Sequence, residues 1–168
     1  NLFEEMGFAK IDNHRAERRG FPEAIFCEGK TPEQVAQIVQ KMNEGDRNIL
    51  ATRASAEAFE AVKKLVSEAE YHKDARLIVV RKEELTPDPD RYILVMTAGT
   101  SDIPVAEEAA ITAELMGHRV ERVFDVGVAG IHRLFAQQEK VQSANVLVVA
   151  AGMEGALASV VGGLVSKP

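Results

Sequence analysis

The chain has 168 residues, 46% of them hydrophobic and 27% charged, the balance of a soluble globular protein with room for one ordinary domain or two small ones. A formal net charge of -6 offers no broad basic surface to nucleic-acid phosphates, and no run of about 18 apolar residues could span a membrane. The single cysteine, Cys27, excludes an internal disulfide; with no apolar N-terminal signal in view, the expected compartment is a reducing cytoplasm.

The chain opens at Asn1 rather than Met, which points to a processed, trimmed or partial start. A polar lead-in runs to Phe21-Pro22; its Arg15, Arg18 and Arg19 are interleaved with Asp12 and Glu17 and suit a solvated helix face. Glu23 to Cys27 reads as a short strand, followed by the loop Glu28-Gly29-Lys30. Thr31 is a good N-cap, Pro32 sits at the first helical position and Gln34 completes a capping box; Val35, Ile38, Val39 and Met42 then share one helix face. Gly45-Asp46 closes this helix and Asn48 to Thr52 reads as a second strand. Ser55 caps a second helix bearing Phe59, Val62, Leu65 and Val66 on one side, and Arg76 to Val80 is a third strand. Strand, helix, strand, helix, strand with short loops predicts a small parallel α/β domain over residues 1–82.

Residues 83–91 are rich in proline and acid, show no apolar periodicity, and read as a linker. The βα rhythm then restarts over residues 92–168. Strand Tyr92 to Thr97 leads to a helix from Ile103 to about Met116, ended by Gly117, with His118 in the turn to the next strand. Strand Arg119 to Asp125 leads through a glycine loop to a helix from Ile131 to Ser143. Strand Asn145 to Ala150 leads through a second glycine loop to an apolar helix ending about Val165. Leu157, Val160, Val161 and Leu164 are expected to leave apolar surface on that last helix, to be covered by a further strand after Ser166-Lys167-Pro168 or by another subunit.

In open parallel sheets ligands bind beyond the carboxyl ends of the strands. Three such ends here carry Ala98-Gly99-Thr100-Ser101-Asp102, then Gly127-Val128-Ala129-Gly130-Ile131-His132-Arg133, then Ala151-Gly152-Met153-Glu154-Gly155. Glycine lets a backbone approach a ligand closely, and helix N-termini offer N–H groups to an anion. Thr100 and Ser101 add hydroxyls, Asp102 suits ribose hydroxyls or a helix cap, and Arg133 has the fork that matches phosphate oxygens. His132 reads either as a surface residue or as a ligand contact; Glu154, between glycines, reads either as a helix-dipole partner or as a catalytic carboxylate. A phosphorylated small molecule is the expected ligand of these loops together.

His14, His72, His118 and His132 are scattered with no carboxylate at metal-ligand spacing, and no Walker or dinucleotide fingerprint occurs. Cys27 reads as a half-buried structural thiol, the alternative being a thiol activated by Lys30.

The three loops, in this order, resemble those of the PurE family of aminoimidazole ribonucleotide carboxylases and mutases, through Gly99-Thr100-Ser101-Asp102, His132-Arg133 and Ala151-Gly152. That family carries a catalytic histidine shortly after the third loop's glycines, where this chain reads Gly155-Ala156-Leu157-Ala158-Ser159. A broader likeness is to the LarB family, the pyridinium-3,5-biscarboxylic acid mononucleotide synthases of nickel-pincer cofactor assembly. It runs through Asp12-x-x-Arg15, RRGFPE from Arg18, EGKT from Glu28, TAGTSD from Thr97, DVGVAGIHRL from Asp125 and AGMEGALASVVGGL from Ala151, departing where Ala158 replaces the family's usual proline.

The resemblance implies a flavodoxin-like, three-layer αβα second domain with a parallel sheet, incomplete at its C-terminal end. It further implies carboxylation of the pyridinium ring of nicotinic acid adenine dinucleotide by CO2, followed by phosphoanhydride hydrolysis that releases AMP. Glu154 would be the catalytic base. Gly99, Thr100, Ser101, Asp102, Gly127, Val128, Ala129, Gly130, His132, Arg133, Gly152, Met153 and Gly155 would contact substrate. The family's nucleophilic cysteine would lie beyond Pro168, and Cys27 does not match its motif. No tightly bound cofactor is implied; Mg2+ is a candidate aid to hydrolysis, and PurE-like domains assemble as homo-oligomers, tetramers or octamers. The competing readings are a PurE-type enzyme on a phosphoribosyl aminoimidazole and a non-catalytic nucleotide-binding regulator.

Overall fold

The structure, a computed structural model, describes residues 3–12 and 23–168, in two compact units, 1–84 and 85–168. The basic cluster Arg15, Arg18 and Arg19, with most of the RRGFPE motif, lies outside the described residues.

In the first unit the small hairpin β1 (Glu4–Glu5) and β2 (Lys10–Ile11) precedes a mixed sheet. β3 (Ala24–Phe26) leads to α1 (Pro32–Met42), β4 (Ile49–Thr52), α2 (Ala56–Leu65), β5 (Glu70–His72) and β6 (Leu77–Val80). The helix starts are set as their local chemistry dictates. Thr31 Oγ1 accepts from the Gln34 N–H at 3.2 Å while Gln34 Oε1 accepts from the Thr31 N–H at 3.0 Å, and Ser55 Oγ accepts from the Ala58 N–H at 3.1 Å. Val35, Ile38 and Val39 of α1 and Val62 of α2 pack on Ile25, Ile49, Ala51, Ile78 and Val80 of the sheet.

The all-parallel order expected here needs one correction. β3 and β4 are parallel, but β6 pairs antiparallel with both β4 and β5, giving the order β3-β4-β6-β5. The crossover through α2 delivers the chain to β5, two positions from β4. A tight turn, with Arg76 at a left-handed φ of 53°, then drops β6 back into the gap. That central slot is buried on both faces, which suits the continuous apolar run Leu77-Ile78-Val79-Val80.

The second unit is a three-layer αβα sandwich. β7 (Ile93–Thr97) is central, with β8 (Val120–Val123) and β9 (Val146–Ala150) parallel to it on either side. On one face α3 (Ile103–Leu115) sets Ala106 and Ala110 against Val95. On the other, α4 (Ile131–Phe135), α5 (Gln138–Ser143) and α6 (Ala156–Leu164) bring Leu134, Val141, Leu157 and Val161 onto Leu94 and Met96. α3 ends on Gly117 at φ 86°, with the Gly117 N–H donating to Glu114 O and the His118 N–H to Ala113 O, both at 3.0 Å. Arg122 on β8 binds α3 at two points, Nε to Glu107 Oε1 at 2.9 Å and Nη1 to Glu114 Oε1 at 2.6 Å. These partners, Glu114 foremost, hold its guanidinium more firmly protonated than usual.

Two further expectations change. The single helix expected from Ile131 to Ser143 is broken at Ala136-Gln137, where the Gln137 N–H turns to Leu134 O, three residues back, at 2.9 Å. The apolar side of α6 is not left bare: Leu157 and Val161 are only 1% and 2% exposed, and Val160 and Leu164 are half-buried. Small residues, Ala158, Ser159, Gly162 and Gly163, form its exposed side instead. Among the described residues no helix is long and apolar enough to cross a membrane.

Candidate active site

Because β7, β8 and β9 are parallel, their carboxyl ends lie on one edge, and the loops that follow are stitched together by backbone bonds. Ala98 N–H donates to Ala150 O at 3.0 Å, Val126 N–H to Thr97 O at 3.0 Å and Gly127 N–H to Ala98 O at 2.8 Å. Between them is a pocket of about 250 Å³ walled by all three loops.

Asp102 ties the first loop to the third. Its Oδ2 accepts from the Gly99 N–H at 2.9 Å and its Oδ1 from the Gly152 N–H at 3.0 Å. The plain helix cap that the sequence allows does not form, since its side chain makes no capping bond to α3. A single 3-10 turn, Thr100–Asp102, intervenes and aims the carboxylate across the pocket mouth.

The second loop begins at Asp125, which has a left-handed φ of 58° and donates its N–H to the hydroxyl of the fully buried Thr97 at 2.9 Å. Asp125 Oδ2 then meets Arg133 Nη1 at 2.9 Å. The Arg133 Nε and Nη2 groups lean on Gly130 O and Gly127 O at 3.3 and 3.4 Å. The third loop turns through left-handed Met153 (φ 54°) and Gly155 (φ 67°), closed by Gly155 N–H on Gly152 O at 3.0 Å. This turn leaves Glu154 exposed, and among the described residues no hydrogen bond or ion pair engages its carboxylate.

Of the residues singled out in the sequence, Gly99, Ser101, Asp102, Gly127, Val128, Ala129, Arg133, Gly152, Met153 and Glu154 line this pocket. Thr100, Gly130, His132 and Gly155 are not in its lining: Thr100 and His132 are exposed, Gly130 sits under the Arg133 side chain and Gly155 starts α6. The sequence placed Ala98 and Ala151 in the loops and Thr97 and Asp125 in the motifs without giving them a site role, and it gave no sign that Ala156 and Leu157 line the pocket. Asp125 left a faint signal, an acid at a strand end beside a glycine loop. Cys27 belongs to the first unit's core, and burial pushes its thiol up to about 11 against the opposing pull of Lys30.

The Arg133 cation, the Glu154 carboxylate, free among the described residues, and the loop glycines can hold an anionic ligand and move a proton. Residues 3–83 match the LarB/PurE-like N-terminal domain. The whole chain also aligns with an uncharacterized protein of Methanocaldococcus jannaschii, 35% identical over 181 residues, covering 100% of this chain and 69% of that protein. The chain belongs to the LarB/PurE-like family. A carboxylase- or mutase-type chemistry comes with that membership. Residues 155–159 carry no histidine, and Glu154 is the titratable group the third loop presents to the pocket.

Proposed function

We propose that this chain supplies the substrate pocket of a LarB-type enzyme. On this reading it carboxylates the pyridinium ring of nicotinic acid adenine dinucleotide with CO2 and hydrolyses the phosphoanhydride to release AMP, in the cytoplasm. One observation carries the reading: the three glycine loops close around one cavity that Arg133 and Glu154 both line, Glu154 having no hydrogen-bond or ion-pair partner among the described residues. Arg133 and the loop amides suit a diphosphate. The family nucleophile adds to the electron-poor ring and makes it enamine-like; the ring carbon then forms its bond to CO2. Glu154 takes the proton from that carbon, and departure of the nucleophile restores the aromatic ring.

Among the described residues no three His, Cys, Asp or Glu side chains gather as a metal site; Mg2+ aiding hydrolysis would be held chiefly by the diphosphate of the substrate, with one or two carboxylates at most. Homo-oligomer formation, tetramer or octamer, belongs to the same proposal; the exposed small side of α6 would admit close packing against another copy. Calorimetric titration with nicotinic acid adenine dinucleotide, NAD and aminoimidazole ribonucleotide tests the reading. Preference for the dinucleotides is expected, and preference for the imidazole nucleotide would overturn it.

A further inference from the structure

Asp125 lies outside the pocket lining, yet its position is tightly specified. Its backbone adopts a conformation that glycine enters most easily and that Asp and Asn tolerate better than other residues. Its N–H is tied to Thr97 Oγ1, and the next N–H, of Val126, is tied to Thr97 O, both on the buried central strand. A carboxylate on so fixed a backbone is a counter-ion with a defined place. It meets Arg133 Nη1 at 2.9 Å, while the other two nitrogens of that fork make longer bonds to loop carbonyls. Among the described residues two of the five guanidinium N–H groups are hydrogen-bonded, both to loop carbonyls, and Nη1 faces the Asp125 carboxylate as an ion pair.

We propose that Asp125 is a positioning residue, holding the Arg133 guanidinium at the pocket wall for the anionic group of a diphosphate ligand. The proposal rests on the reading of this pocket as an anion site. As a solvent-exposed ion pair it would contribute little to folding. Its consequence is orientation: a guanidinium fixed in advance loses less freedom when an anion arrives.

The opposite role has the opposite sign. If Asp125 only masked the charge of Arg133, removing its carboxylate would strengthen anion binding. The test is calorimetric titration of the whole chain with inorganic pyrophosphate, using wild type, Asp125→Asn, Asp125→Gly and Arg133→Ala. Both substitutions at Asp125 keep a residue that accepts the left-handed backbone and remove the charge. Each should bind pyrophosphate roughly three- to tenfold more weakly than wild type, with unfolding midpoints unchanged or raised for the glycine variant. Equal or tighter binding in Asp125→Asn would overturn the proposal while leaving the anion pocket standing. Weak binding in Asp125→Gly alone would assign the effect to the backbone and also overturn it. Failure of wild type to bind pyrophosphate, or wild-type affinity in Arg133→Ala, would remove the anion site itself and this proposal with it.

Discussion

Gly127→Ala is the sharpest probe of how the loops are assembled. Gly127 has φ -58° and ψ 155°, backbone that alanine adopts without strain, so conformational freedom does not explain the glycine. Space does. A Cβ at this position would lie 2.7 Å from the carbonyl oxygen of Ala98 and 3.3 Å from its carbon, and both are backbone atoms. Ala98 cannot easily retreat, because its own N–H is bonded to Ala150 O at 3.0 Å in the continuation of the sheet. The second loop must move instead, breaking the 2.8 Å bond from Gly127 N–H to Ala98 O and leaving a buried amide short of a partner. An unsatisfied buried group costs about 1–3 kcal/mol and forced overpacking about 1–3 kcal/mol, so a loss of roughly 2–4 kcal/mol is expected. Urea unfolding followed by amide hydrogen exchange at Val95 and Val123 reads the second unit alone. Gly162→Ala is the control: nothing lies within 4 Å of its added carbon, and in an exposed helix position alanine should stabilise by up to about 1 kcal/mol. Stability of Gly127→Ala within about 0.5 kcal/mol of wild type would refute the close-approach argument.

Asp102→Ala should free the Gly99 and Gly152 amides and loosen the third loop at a cost of about 1–3 kcal/mol; unchanged exchange of the Gly152 amide would show that the bridge holds nothing. In an enzyme that also carries the nucleophile, Glu154→Gln should abolish AMP release while nicotinic acid adenine dinucleotide still binds, and unaltered turnover would exclude Glu154 as the base. Arg122→Gln leaves Glu107 and Glu114 facing one another without their shared cation, and the second unit should lose about 1–3 kcal/mol in urea unfolding. Arg122→Lys should restore only part, a point charge being unable to fork to both carboxylates. Cys27 supplies a pH test. Its thiol ionises near 11 when folded and about 8.5 when unfolded, so the first unit's stability should be level below about pH 8.5 and fall as pH rises toward 11. The same decline in Cys27→Ala would assign it to other groups.

What could be read without coordinates was whatever depends on neighbours in sequence. The caps at Thr31 and Ser55 follow from side chains reaching three residues ahead, and both form. The alternation of apolar strands, glycine corners and helices over residues 92–168 carries the parallel αβα architecture, because each such corner lets a strand turn directly into a helix. The convergence of three loops on one edge follows from that parallelism, so most of the pocket's glycines could be named from the chain alone.

What remained hidden depends on partners far apart in sequence. Glu70–His72 is too short and polar to announce a strand, and pairing with β6 makes it one; that insertion reverses β6 against β4. The Asp102 carboxylate is committed by Gly152, 50 residues away, and the Asp125 amide by Thr97, 28 residues away. The type and order of elements are thus settled by local backbone preference and hydrophobic period, which every short window of the chain contains. Strand direction in the first sheet, and the partners that aim Asp102 and Arg133, are decided only when packing brings distant groups within reach of one another.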